Sequence, residues 1–82
     1  MDLLEQVRSF IIETFYVANP AELADEDSLL EKGIVDSTGV LEVVGFIEND
    51  LGIEVDDDDL VPDNLDSIAN IHRFVERKRA AR

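Results

Sequence analysis

Few residues in this chain could do covalent chemistry. There is one histidine, His72, and no cysteine, which excludes a thiolate nucleophile, a disulfide framework and a thiolate metal site. His72 stands between apolar Ile71 and basic Arg73 with no partner set around it. A serine nucleophile needs a positioned base, and pairing His72 with Ser37 would still leave an oxyanion hole and a substrate pocket to be built from 82 residues. We therefore expect no enzyme and no catalytic residue. The run Asp56, Asp57, Asp58, Asp59 invites a calcium reading, but an EF-hand loop needs glycine at its sixth position and glutamate at its twelfth. Counted from Asp56, those positions hold Val61 and Ser67, so no metal site is expected.

What is left is Ser37. It ends the segment Gly33-Ile34-Val35-Asp36-Ser37 and places a hydroxyl where a long connection meets an acidic amphipathic helix. Serine is an ordinary helix cap, so its presence there has a purely structural reading. The exposed amides and dipole of a helix start also favour an attached phosphate. Downstream, Glu42 and Glu48 fall on positions that the apolar stripe leaves outside.

The elements that must position Ser37 are legible from periodicity. Asp2 followed by Glu5 reads as a helix cap with a capping-box partner, and Leu3, Leu4, Val7, Phe10, Ile11 and Phe15 recur at helical spacing. The first helix is expected from Asp2 to Tyr16, ended by Asn19-Pro20 because proline disfavours helix in the residue before it. The connection from Pro20 to Asp36 carries Leu23, Leu29, Leu30, Ile34 and Val35, enough to pack it down, with a short turn near Glu22 to Asp25 and a bend at Gly33. The second helix starts at Asp36 or Ser37, either of which can cap. It runs to Leu51 on the stripe Val40, Val44, Ile47, Leu51, joined by Leu41 and Val43, and Gly52 stops it. Ile53-Glu54-Val55 is an extended link. Asp56 to Asp59 suit the first turn of a brief helix, which Pro62 closes. Asp66 caps a last helix built on Ile68, Ile71, Phe74 and Val75, with Leu65 at the staple position. The expected architecture is all-α: one domain over residues 1–82, a small four-helix bundle of three main helices plus one short helix, with a long loop between the first two.

Charge narrows the partners. The chain has 20 acidic and 7 basic residues, a formal charge of -13, and no Lys or Arg between Gly33 and His72. Such a surface repels nucleic acid and anionic lipid and attracts basic protein surfaces. The cations Arg73, Arg77, Lys78, Arg79 and Arg82 gather on the last helix, where they oppose its negative end. The opening Met-Asp-Leu-Leu-Glu has no basic n-region, and no apolar run nears the ~20 residues that cross a bilayer. We expect a cytoplasmic monomer.

At Asp36-Ser37 the sequence resembles the acyl and peptidyl carrier protein family, over nearly its whole length and in helix order, loop length and size. The family's defining feature is an Asp-Ser pair after a glycine-containing loop, and Gly33-Ile34-Val35-Asp36-Ser37 fits it. The resemblance implies that Ser37 carries 4'-phosphopantetheine, taken from coenzyme A by a phosphopantetheinyl transferase, as a phosphodiester. It implies a phosphoprotein that shuttles a thioester in fatty acid or secondary-metabolite biosynthesis. By the same resemblance Asp36 accompanies the attachment site. Thr38, Glu42, Glu48 and Asp56 to Asp59 would meet the basic docking surface of an adenylate-forming acyl or aminoacyl ligase, an acyltransferase or a synthase. Many fatty-acid carriers have Leu-Asp after the serine where this chain has Thr38-Gly39. The stretch from Leu60 to Ile68 looks more like carriers served by adenylate-forming ligases. Chemistry agrees from its own side: a chain without cysteine handles a thioester only by borrowing a thiol. The alternative is an unmodified acidic helical adaptor for a basic protein surface, with Ser37 no more than a cap.

Overall fold

The computed structural model describes residues 2–81. Among them it contains only helices and turns: α1 (Leu3–Thr14), α2 (Gly39–Gly45), α3 (Pro62–Leu65) and α4 (Ile68–Ala80), with short 3-10 turns at Pro20–Glu22 and Asp57–Asp59. The expected small helical bundle with a long first connection is what forms.

Helix α1 begins where the sequence places it. The Asp2 carboxylate accepts from the Glu5 amide at 2.8 Å, and Val7 and Ile11 are buried against α4. It stops at Thr14, well before Asn19-Pro20, because Phe15 turns extended and sends its ring edge-on to Phe10, centroids 6.1 Å apart. Pro20 starts a turn of its own, with the Asn19 side chain accepting from the Ala21 amide. Arg8 pins the following loop by donating to Asp25 at 2.9 Å and to the carbonyls of Pro20 and Leu23.

The second helix takes Asp36 as its cap in place of Ser37. The Asp36 carboxylate accepts from the Gly39 amide at 2.7 Å and its carbonyl from the Val40 amide at 3.0 Å. Regular α-helix covers Gly39–Gly45, and Phe46–Asp50 continue with a wider π repeat. Leu51 donates to Phe46 and Ile53 to Ile47, a closure one residue wider than the usual Schellman pattern. Gly52 sits at φ 68° in the left-handed region that glycine tolerates, and the turn delivers Ile53 into the core.

Three expectations near the last helix are corrected. Pro62 opens α3 and does not close the preceding turn, since a proline lacks the amide that a first helical residue leaves unused anyway. Ser67, not Asp66, caps α4, accepting from the Asn70 amide at 2.9 Å. Asp66 is committed elsewhere: its carboxylate accepts from the Ser28 hydroxyl at 2.6 Å and the Leu30 amide at 2.9 Å, and its carbonyl accepts from Leu29. It therefore ties the long connection to the end of α3. With Ser67 as the cap, Leu65 no longer holds the staple position directly before it, and it is buried in the core.

Glycine 39 has a packing role. A methyl there would lie 2.8 Å from Phe15 Cε1 and 3.2 Å from Val35 Cγ1, whereas at Gly45 the nearest atom is 3.9 Å away. Helix propensity alone favours alanine at both sites by about 1 kcal/mol, but crowding a packed core costs roughly 1–3 kcal/mol. Gly45→Ala should raise the melting temperature and Gly39→Ala should lower it. Thermal denaturation of the two variants checks this, and a rise for both would mean that the Phe15 ring yields freely.

Candidate functional site

Ser37 occupies the first turn of the second helix, directly after its cap. Its side chain is exposed, and its hydroxyl makes no side-chain hydrogen bond among the described residues, because the capping bond belongs to Asp36. A free hydroxyl on a fixed backbone is open to modification from outside. Thr38 beside it is also exposed, its carbonyl accepting from the Leu41 amide.

On its inner side Ser37 borders a groove of about 230 Å³. Leu29, Leu30 and Val35 from the long connection and Val40 from α2 make one wall; Leu60, Val61, Pro62 and Leu65 make the other. Asp66 lies at its edge with both carboxylate oxygens already accepting hydrogen bonds. The groove is thus lined almost wholly by aliphatic carbon, and Leu30, Leu60 and Val61 are left unusually exposed around it. Such a slot removes a small aliphatic group from water at roughly 0.8 kcal/mol per methylene buried.

The acidic residues separate into two sets. Glu42, Asp57 and Asp58 point into solvent. Glu48 is exposed too, although one oxygen accepts from the Val55 amide at 3.2 Å. Asp56 and Asp59 are held internally: Lys78 on α4 approaches Asp59 at 2.8 Å and Asp56 at 3.1 Å. The two aspartates also cap each other's turn, with Asp59 accepting from the Asp56 amide. The Lys78 ammonium beside Asp59, followed by that amide bond, holds the Asp59 carboxyl below its ordinary range, and the same contact raises Lys78. Arg73 pairs with Glu26 at 3.1 Å and Arg77 donates to Asn64 at 2.7 Å. The basic residues of α4 do more than oppose its helix dipole; Arg73, Arg77 and Lys78 tie the helix to the long connection, to α3 and to the aspartate turn. Arg82 lies outside the described residues.

His72 stands apart from this constellation, its Nε2 lying 3.0 Å from Glu76 on its own helix. No group of three or more His, Cys, Asp or Glu among the described residues is placed to hold a metal ion, and none of their helices is long and apolar enough to cross a membrane.

Three features escaped the sequence reading. The groove joins residues from three separate segments, and only the apolar pair Leu60-Val61 after the aspartate run hinted at it. Leu41, expected on the apolar stripe, is 68 % exposed on the same helix as Glu42 and stands outside the core. The double role of Lys78 had no local signal, since its partners are 19 and 22 positions away in sequence. No family model matches the chain, and no curated protein matches its sequence.

Proposed function

We propose that the protein is an acyl carrier that bears 4'-phosphopantetheine on Ser37 and passes an acyl or aminoacyl thioester between partner enzymes. The observation that carries this reading is the position of Ser37: an exposed hydroxyl, released from capping by Asp36, on the rim of an aliphatic groove. The residues fit the group in chemical terms. The hydroxyl supplies the oxygen of a phosphodiester, the helix start favours the phosphate, and the groove offers an apolar surface beside it. When bound, the group supplies the thiol that the chain lacks. The chain's own part is to fix the attachment point and to present exposed Glu42, Asp57, Asp58 and Leu41 to a partner. Complementary charge gives fast encounter with basic partners while leaving dissociation easy, which suits a protein that must visit a transferase, a ligase and an acceptor in turn.

The test is the intact mass of the folded protein after incubation with coenzyme A and a broad-specificity phosphopantetheinyl transferase, with the adduct located by peptide fragmentation. One phosphopantetheine on Ser37 is the expected result. Folded protein that gains no mass would overturn the carrier reading and leave the acidic adaptor in its place.

A further inference from the structure

The wall of the groove formed by Leu60 and Val61 is anchored to the core only at its ends, by buried Ile53 before it and buried Leu65 after it, with Val55 packed partly against the core between them. From residue 54 to residue 64 no side chain is buried, whereas the opposite wall is anchored by buried Leu29 and Val35. Beyond Val55, polar bonds hold the turn. Lys78 bridges Asp56 and Asp59; Asn64 donates to the Asp59 carbonyl at 2.9 Å and accepts from Arg77 at 2.7 Å; Val55 donates to Glu48. Lys78 is itself held: its side chain is only 26 % exposed, and its ammonium lies 5.9 Å from the centre of the buried Phe74 ring. Its head is therefore a fixed point on the rigid helix, and the aspartate turn hangs from it.

We propose that Lys78 is a positioning residue that latches the segment 54–61 to α4 and so sets the wall of the groove beside Ser37. The latch belongs to the unmodified chain and operates whether or not Ser37 carries an arm. Its consequence is that two of the four aspartates in the acidic run hold the groove in shape, leaving Asp57 and Asp58 to face outward.

An isolated surface ion pair contributes little to global stability, so the effect is local: a segment without buried side chains opens separately from the core. The test compares the full-length wild type, Lys78→Met and Lys78→Arg by amide hydrogen exchange and methyl NMR, all without modification. The reporters are the Leu60 and Val61 amides, which donate to Asp57 and Asp59, and the Val40 methyls on the facing wall. Lys78→Met keeps the apolar stem and removes the charge, and Leu60 and Val61 should then exchange about threefold faster, the scale set by losing a surface ion pair. The Val40 methyl signals should move, the Val7 and Ile11 amides should be unaffected, and Lys78→Arg should restore the wild-type pattern. Unchanged exchange at Leu60 and Val61 would overturn the proposal. So would acceleration shared equally with Val7 and Ile11, which would make Lys78 merely a stabilising residue, and so would Val40 methyls indifferent to the charge.

Discussion

Ser37→Ala should abolish phosphopantetheine addition while leaving stability within ~0.5 kcal/mol of the parent, the range of surface substitutions that break no specific contact. The separation follows from the cap. A serine that capped the helix would cost ~0.5–2 kcal/mol on replacement by alanine, and function and stability would fall together. Here the capping oxygen is that of Asp36, 2.7 Å from the Gly39 amide, so the stability loss moves one residue upstream. Asp36→Ala should lose the ~0.5–2 kcal/mol of a cap, and its melting temperature should drop by roughly 4–8 °C per kcal/mol in a domain this small, yet it keeps the Ser37 hydroxyl proposed as the acceptor. Intact mass and thermal denaturation on both variants separate the two roles. Mass gained by the alanine variant at position 37 would mean that another hydroxyl is the acceptor. A large fall in its melting temperature would mean that the Ser37 hydroxyl has a structural bond after all.

The division between these neighbours shows where sequence reasoning stops. Either residue could cap by type, and only the orientation of the carboxylate decides between them. The same limit explains Asp66 and Ser67, adjacent residues that are both good caps. Asp66 is drawn away because the Ser28 hydroxyl and the Leu30 amide, far off in sequence, need an acceptor. Periodicity found α1, the second helix and α4, since each buries one stripe that repeats along its own length. It could not find where α1 ends, because Phe15 leaves the helix for a contact with Phe10 and a close approach to Gly39. Nor could it find the groove, whose walls come from three segments brought together by tertiary contacts. Ser37 stands out in the sequence as a candidate because its signal is local, a short motif at a helix start. Lys78 does not, because one turn of basic residues at a helix end already has a sufficient local explanation in the helix dipole.

Those tertiary contacts rest on a small core, which makes Phe74 the residue whose loss should be felt most. It is 2 % exposed on α4 and belongs with Val7, Ile11, Ile47 and Ile71 to the buried core cluster. Its ring also lies under the cations of Arg77 and Lys78, at 6.0 and 5.9 Å. Replacing a buried phenylalanine by alanine costs about 3–5 kcal/mol, the transfer energy of the ring plus the cavity left behind. Domains have only ~5–15 kcal/mol in total, and one of this size hides a modest share of its surface and stands near the lower end. Phe74→Ala should therefore lose most of its stability. With a urea slope of ~1 kcal/mol/M, at the low end for small proteins, the unfolding midpoint falls by about 3 M or vanishes. Leu41→Ala is the matched control: an aliphatic side chain on the second helix, 68 % exposed, whose loss should cost no more than ~0.5 kcal/mol. Urea denaturation followed by helical circular dichroism measures both. A loss below about 1 kcal/mol at Phe74, outside the range for emptying a core site, would mean that the α1–α4 seam is not what holds the bundle together. The groove, the latch and the Ser37 turn would then need a different foundation, because each is attached to that seam through α4 or through the loop that Arg8 and Asp66 tie down.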